Sequence, residues 1–221
     1  MPRPSKYAYL LFLFILPILS AVPVKAQTND TDTQASSASQ STQDPWAFKN
    51  RFGHYGFEMG FSKEIKLNNA QTSNVGLLTF RPQYTIRLGD LPKNRVFYRF
   101  ELVTEPTAII AFRPHLAGIY GLNEIVRLDF PPVGREKRLI FYVDAGAGVN
   151  QFNLKVPQEL TGKFQFSLQF GPGFKYRLKN SRWAVGCALK GTHFSDNGIH
   201  KPNQGINLPD LSCGMDYLPK N

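Results

Sequence analysis

Residues Lys163 to Leu178 read KFQFSLQFGPGFKYRL. Phe164, Phe166, Leu168, Phe170, Phe174, Tyr176 and Leu178 share one parity. Lys163, Gln165, Ser167, Gln169, Gly171, Gly173, Lys175 and Arg177 share the other. Successive side chains of an extended chain point to opposite faces. This stretch is therefore a long strand with one aromatic face and one face of charge, amide and glycine.

The pattern repeats on both sides of it. Upstream, Leu139, Phe141, Val143, Ala145, Ala147 and Val149 alternate with Tyr142, Asp144, Gly146, Gly148 and Asn150. Further back, Gly76, Leu78, Phe80, Tyr84, Ile86 and Leu88 oppose Thr79, Arg81, Gln83, Thr85 and Arg87, and Val96, Tyr98, Phe100 and Leu102 oppose Arg99 and Glu101. Downstream, Leu211, Cys213, Met215 and Tyr217 oppose Ser212, Gly214 and Asp216. No stretch after His54 has the 3.6-residue period of an amphipathic helix.

A soluble sandwich also alternates. Here the apolar faces are long and aromatic-rich, and the opposite faces mix ionised groups with glycine, as in the polar interior of a small membrane barrel. The sequence predicts an all-β fold, an eight-stranded antiparallel transmembrane barrel. Its strands are expected near 54–66, 74–88, 95–105, 113–130, 138–153, 163–178, 182–195 and 208–217. An even count puts both termini on the periplasmic side. Compact turns at Gly89–Asn94 and Lys179–Ser181 fall on that side, and longer connections at 67–73, 154–162 and 196–207 on the outer side. The alternative is a lipocalin-like soluble barrel, which would bury the apolar face and show the charged face to water.

The rest of the 221-residue chain fits export. Residues 1–26 have a signal peptide's layout: Arg3 and Lys6, an apolar run from Tyr7 to Leu19, and Val24-Lys25-Ala26 before the cleavage point. The run is too short, and broken by Pro17, to favour a spanning helix. Residues 27–50 are read as a polar linker, since Ser, Thr, Gln, Asn and Asp cannot build a core. Residues 51–221 are read as the barrel. The formal charge is +10. Removing the signal leaves +7, and setting aside Asp30, Asp32 and Asp44 of the linker returns the remainder to about +10. Such an excess suits a polyanionic partner. Export argues against nucleic acid and towards the phosphates of lipopolysaccharide, to which Lys190 and Lys201 are candidate contacts.

Of the four histidines, only His193 has a serine at the next same-face position, Ser195. A serine hydroxyl is a weak nucleophile until a base takes its proton, and His193 is placed to do so if the strand curls at its end. If strands seven and eight form a hairpin centred near His200, His193 opposes Asn207 and Cys187 opposes Cys213. Opposed side chains sit about 4.5–5.5 Å apart at Cβ, so Asn207 can orient the imidazole. The cysteines are then either a cross-strand disulfide or two small lipid-facing thiols. The thiols are favoured, because directly opposed positions strain the bond. Ser195 shares the lipid-facing parity, whereas Asp210 points to the other face. His193 and His200 without a third ligand make a poor metal site.

The segment Gly191-Thr192-His193-Phe194-Ser195-Asp196-Asn197-Gly198, followed by Lys201-Pro202-Asn203-Gln204-Gly205-Ile206-Asn207, resembles the C-terminal signature of the outer-membrane lipid A 3-O-deacylases (PagL type). Tyr142–Val149 and Gly162–Leu178 resemble that family's central strands. The resemblance implies a carboxylic ester hydrolase that removes a 3-hydroxyacyl chain from lipid A, with no metal or organic cofactor. It makes Ser195 the nucleophile and His193 the general base. The family's triad acid falls at Asn207, and Asp196 stands after the serine in place of the usual Asn. An amide can orient histidine but cannot stabilise imidazolium by charge. Asp196 either supports the site or opposes a developing oxyanion. Backbone N–H groups of Asn197 and Gly198 are the oxyanion candidates. The expected partners are lipopolysaccharide, outer-membrane lipid and a second copy in a homodimer. The competing reading is a non-catalytic barrel with a degenerate triad.

Overall fold

The computed structural model describes Trp46 and residues 53–65, 75–91, 96–154, 160, 162–200 and 205–218. The expected signal peptide, and the expected linker apart from Trp46, lie outside the described residues. The strands are β1 (His54–Lys63), β2 (Gly76–Asp90), β3 (Arg99–Arg113), β4 (Ala117–Asp129), β5 (Leu139–Phe152), β6 (Phe164–Arg177), β7 (Trp183–Ser195) and β8 (Ile206–Tyr217). Each pairs antiparallel with its sequence neighbour, and β1 closes on β8. Closure leaves no unpaired sheet edge, which a lipid-facing sheet requires.

The face assignment follows the alternation. Phe164 is 67 % exposed and Phe170 65 %, while Gln165 and Ser167 between them are buried. The apolar exterior excludes the lipocalin-like alternative. Inside, charges neutralise one another across the lumen. Arg81 makes two bonds to Asp210, at 3.0 and 2.8 Å, and Arg127 two to Asp144, both 2.8 Å. Lys190 Nζ sits 2.9 Å from Glu58, 3.4 Å from Glu105 and 3.6 Å from Asp144. Paired, hydrogen-bonded ions are the form in which charge survives burial. Lys190 is thus a lumenal ion-pair partner and no contact for an external phosphate, correcting that expectation.

The described lumen closes differently at its two ends. At the end holding the 64–75, 114–116, 153–163 and 196–205 connections, Val75, Leu77, Ile109, Ile119, Phe152, Leu160, Phe194, Ile206 and Leu208 form an apolar plug. At the end where β1 starts and β8 finishes, Trp46 packs with Ile140, Ala184 and Leu218, and its Nε1–H donates to the Lys137 carbonyl at 2.9 Å.

Two expectations change. The third strand was expected to stop near 105 and the fourth to begin near 113; β3 runs on to Arg113, and only 114–116 connects it to β4. Pro106 is the misleading residue. A proline donates no ladder bond and ordinarily marks a strand's end or edge. The β2–β3 register runs from Phe80↔Ala108 to Tyr84↔Thr104, which sets Pro106 opposite Pro82. Two residues without N–H groups share one gap, and the strand continues past it. The second change concerns Cys187 and Cys213, which form a disulfide between opposed positions of β7 and β8.

Candidate active site

The last turn of β7 alternates its side chains. His193 faces outward, Phe194 inward and Ser195 outward. Phe194 is buried in the apolar plug and meets Phe152 edge-on at 5.1 Å between ring centroids. That anchor holds the strand end while the half-buried polar residues on either side stay at the lipid-facing surface.

β8 supplies the partner. The β7–β8 ladder pairs His193 with Asn207, and the His193 Nδ1–H donates to Asn207 Oδ1 at 2.9 Å. With its proton on Nδ1, the imidazole keeps the Nε2 lone pair free to accept another. The Asn207 carbonyl in turn accepts from Ile65 N–H at 3.1 Å, so the backbone under the amide is held from the β1 side. Gly205 completes the imidazole's seat. A Cβ there would lie 2.7 Å from His193 Cε1 and 3.0 Å from Nε2, and the residue has φ +71°. Both the space and the left-handed backbone call for glycine.

On the other flank β6 sets Phe166 beside Ser195 and Leu168 beside His193. Both are exposed on the outer face, so the polar pair borders apolar surface. The Ser195 hydroxyl has no hydrogen-bond partner among the described residues. Residues i and i+2 of a strand are about 6.6 Å apart, so proton transfer to His193 needs the serine rotamer that turns towards Nε2.

After Ser195 the chain turns sharply, through Asn197 at φ +56° and Gly198 at φ +76°. Asp196 organises this turn. Its carboxylate accepts from Gly198 N–H, His200 N–H and His200 Nδ1–H, each at 2.9 Å. The side chain is turned inward and is 1 % exposed. Its charge is therefore spent on the turn and on His200. The Gly198 N–H is engaged by that carboxylate.

A model of the lipid A 3-O-deacylase (PagL) family matches residues 95–216. The chain belongs to that family. The matched segment contains His193, Ser195 and Asn207 together with the strands that carry them. Among solved structures, the outer membrane enzyme PagL shares 16 % identity with a TM-score of 0.51, over 74 % of this chain and 99 % of its own. That likeness is one of fold. The Yersinia pestis outer membrane protein Ail shares 10 % identity at a TM-score of 0.32, over 75 % of this chain and 99 % of its own. No curated protein matches.

Family membership and the apolar exterior agree on an outer-membrane β-barrel. Within this PagL-family chain the structure brings His193 and Asn207 together and sets Ser195 on the same face, while Asn197 and Gly198 follow in the turn. Asp210 belongs elsewhere, since it is buried in the lumen against Arg81, Thr79 and Ser62. Lys201 lies outside the described residues. Among the described residues no group of three or more His, Cys, Asp and Glu side chains is gathered as a metal site would need. Sequence reasoning missed the seat at Gly205 and the Asp196–His200 pair. The Asp-Asn-Gly run ending four residues later in histidine is the local signal for that pair, because Asp side chains bond the backbone two residues on.

Proposed function

We propose that this barrel is an esterase that removes the 3-O-linked hydroxyacyl chain of lipid A. The observation that supports it best is the hydrogen bond between His193 and Asn207 on the lipid-facing side, with Ser195 two residues along the same face. His193 Nε2 takes the Ser195 proton as the oxygen attacks the ester carbonyl. The tetrahedral oxyanion is met by the Asn197 N–H, the candidate that remains once Gly198 is committed to Asp196. Collapse breaks the bond to the sugar oxygen, which leaves as an alcohol with the proton from His193. Water then attacks the acyl-serine, gives a proton to His193, and releases the hydroxy fatty acid and free Ser195. Asn207 fixes the tautomer throughout. A site on the lipid-facing side suits a substrate held in the outer leaflet, because the ester reaches it laterally. Residues 1–26 as a cleaved signal and 27–50 as a linker complete the proposed organisation.

The test is lipid A mass spectrometry on cells expressing the protein. The expected result is loss of one hydroxyacyl chain that disappears with Ser195→Ala and with His193→Ala. Asn207 favours a second reading, a barrel without turnover, because an amide replaces the charge that supports imidazolium. Unchanged lipid A in all three strains would establish that second reading.

A further inference from the structure

Asp196 and His200 form a built pair that the proposed chemistry does not use. The carboxylate is buried and fully engaged, whereas the His200 side chain is 59 % exposed at the plugged end of the barrel. The pair is braced from the β5–β6 connection. A Cβ at Gly162 would fall 2.9 Å from His200 Nδ1 and 3.2 Å from Asp196 Oδ2, so the Gly162 backbone packs directly against both. The buried Gln165 amide donates to the Gly162 carbonyl at 2.8 Å and holds that backbone in place. With Nδ1 committed to Asp196, the free edge of the ring is Nε2.

We propose that His200, positioned by Asp196, binds a phosphate oxygen on the polar head of a lipid A-type substrate; this rests on the esterase reading above. The turn that places His200 begins at the residue after Ser195, so a phosphate on the sugar and an acyl ester on the same sugar can be addressed together. Lys190 is sealed in the lumen, which leaves the rim to supply the positive charge. Neutral His200 offers only a lone pair at Nε2, because its proton is on Nδ1. Protonation adds the Nε2–H donor that a phosphate oxygen accepts. Asp196 is the charged group bonded to the ring, and Lys163 is the exposed cation that follows Gly162 on the opposing connection. Lys201 is the neighbouring cation in sequence.

The experiment measures binding in the Ser195→Ala background, where no turnover intervenes. The full-length protein in detergent is titrated with lipid A and with the same lipid A stripped of phosphate. The expected preference for the phosphorylated form falls about tenfold with His200→Ala, the size of one exposed charge-assisted contact. His200→Lys, which keeps a cation, is expected to retain the preference. An unchanged preference in folded His200→Ala overturns the proposal, as does equal loss of affinity for both lipids. Failure of wild-type protein to deacylate lipid A sinks the esterase reading alone, because this binding measurement does not depend on turnover.

Discussion

Replacing Asn207 by aspartate tests how the site works with the least disturbance. The exchange is isosteric, so an oxygen stays 2.9 Å from His193 Nδ1. What changes is charge. When Ser195 gives up its proton, His193 becomes imidazolium, and a carboxylate at 207 would attract it where the amide only holds it. With charge centres about 4 Å apart, that attraction is about 1 kcal/mol in water and about 4 kcal/mol at the effective dielectric of a partly buried surface pair. Both residues are half-buried, so the gain falls between these limits. About 1.4 kcal/mol is a factor of ten in rate, and kcat should therefore rise between about fivefold and several hundredfold. The assay is initial-rate release of hydroxy fatty acid from lipid A in mixed micelles. A rate unchanged or lowered in a correctly folded variant would refute the claim that His193 is the base and Asn207 its partner.

Other perturbations separate chemistry from scaffold. Gly205→Ala should cut kcat at least about tenfold while the barrel still folds, because the new methyl group meets the His193 ring and the left-handed backbone adds only about 1–2 kcal/mol; a near-wild-type rate would mean that the imidazole is not seated there. Asp210→Asn should cost about 3–5 kcal/mol in denaturant unfolding, since it removes the negative charge and one of the two oxygens that accept from Arg81 inside the lumen. Loss of activity at unchanged stability would instead mark Asp210 as part of the site. Replacing Cys187 and Cys213 together by serine should lower unfolding stability by about 2–4 kcal/mol and leave kcat within about twofold, because the His193–Asn207 register is set by the ladder on either side. A large rate loss there would show that the cross-link itself aligns the pair.

The fold was legible because a membrane barrel writes its two faces into one strand. In Phe164–Arg177 every aromatic is outside and every amide or ion inside, with no exceptions to confuse the parity. The hairpin register was equally readable, since a centre at His200 sets both His193↔Asn207 and Cys187↔Cys213. The errors came where the outcome depends on a residue distant in sequence. Pro106 looks like a strand end until Pro82 is set opposite it. The cysteine pair could be aligned, but its bonding is a property of the closed hairpin. Asp196 was ambiguous for the same kind of reason: its parity was clear, but the three donors that claim its carboxylate appear only when the turn is formed. Gly162 joins that site from another connection altogether, and no local spacing connects the two.

The apolar plug bears on the permeability barrier in which the barrel sits. A ring of strands with a polar lumen is the architecture of a porin, and an open one would leak ions and small solutes. Here the described lumen holds interlocked ion pairs capped by Phe152, Phe194, Ile206 and Leu208 at one end and by Trp46 with Leu218 at the other. Each copy adds lipid-facing surface without adding a hole. A cell could carry many copies without loss of envelope resistance, and single barrels in a planar bilayer should show no conductance steps.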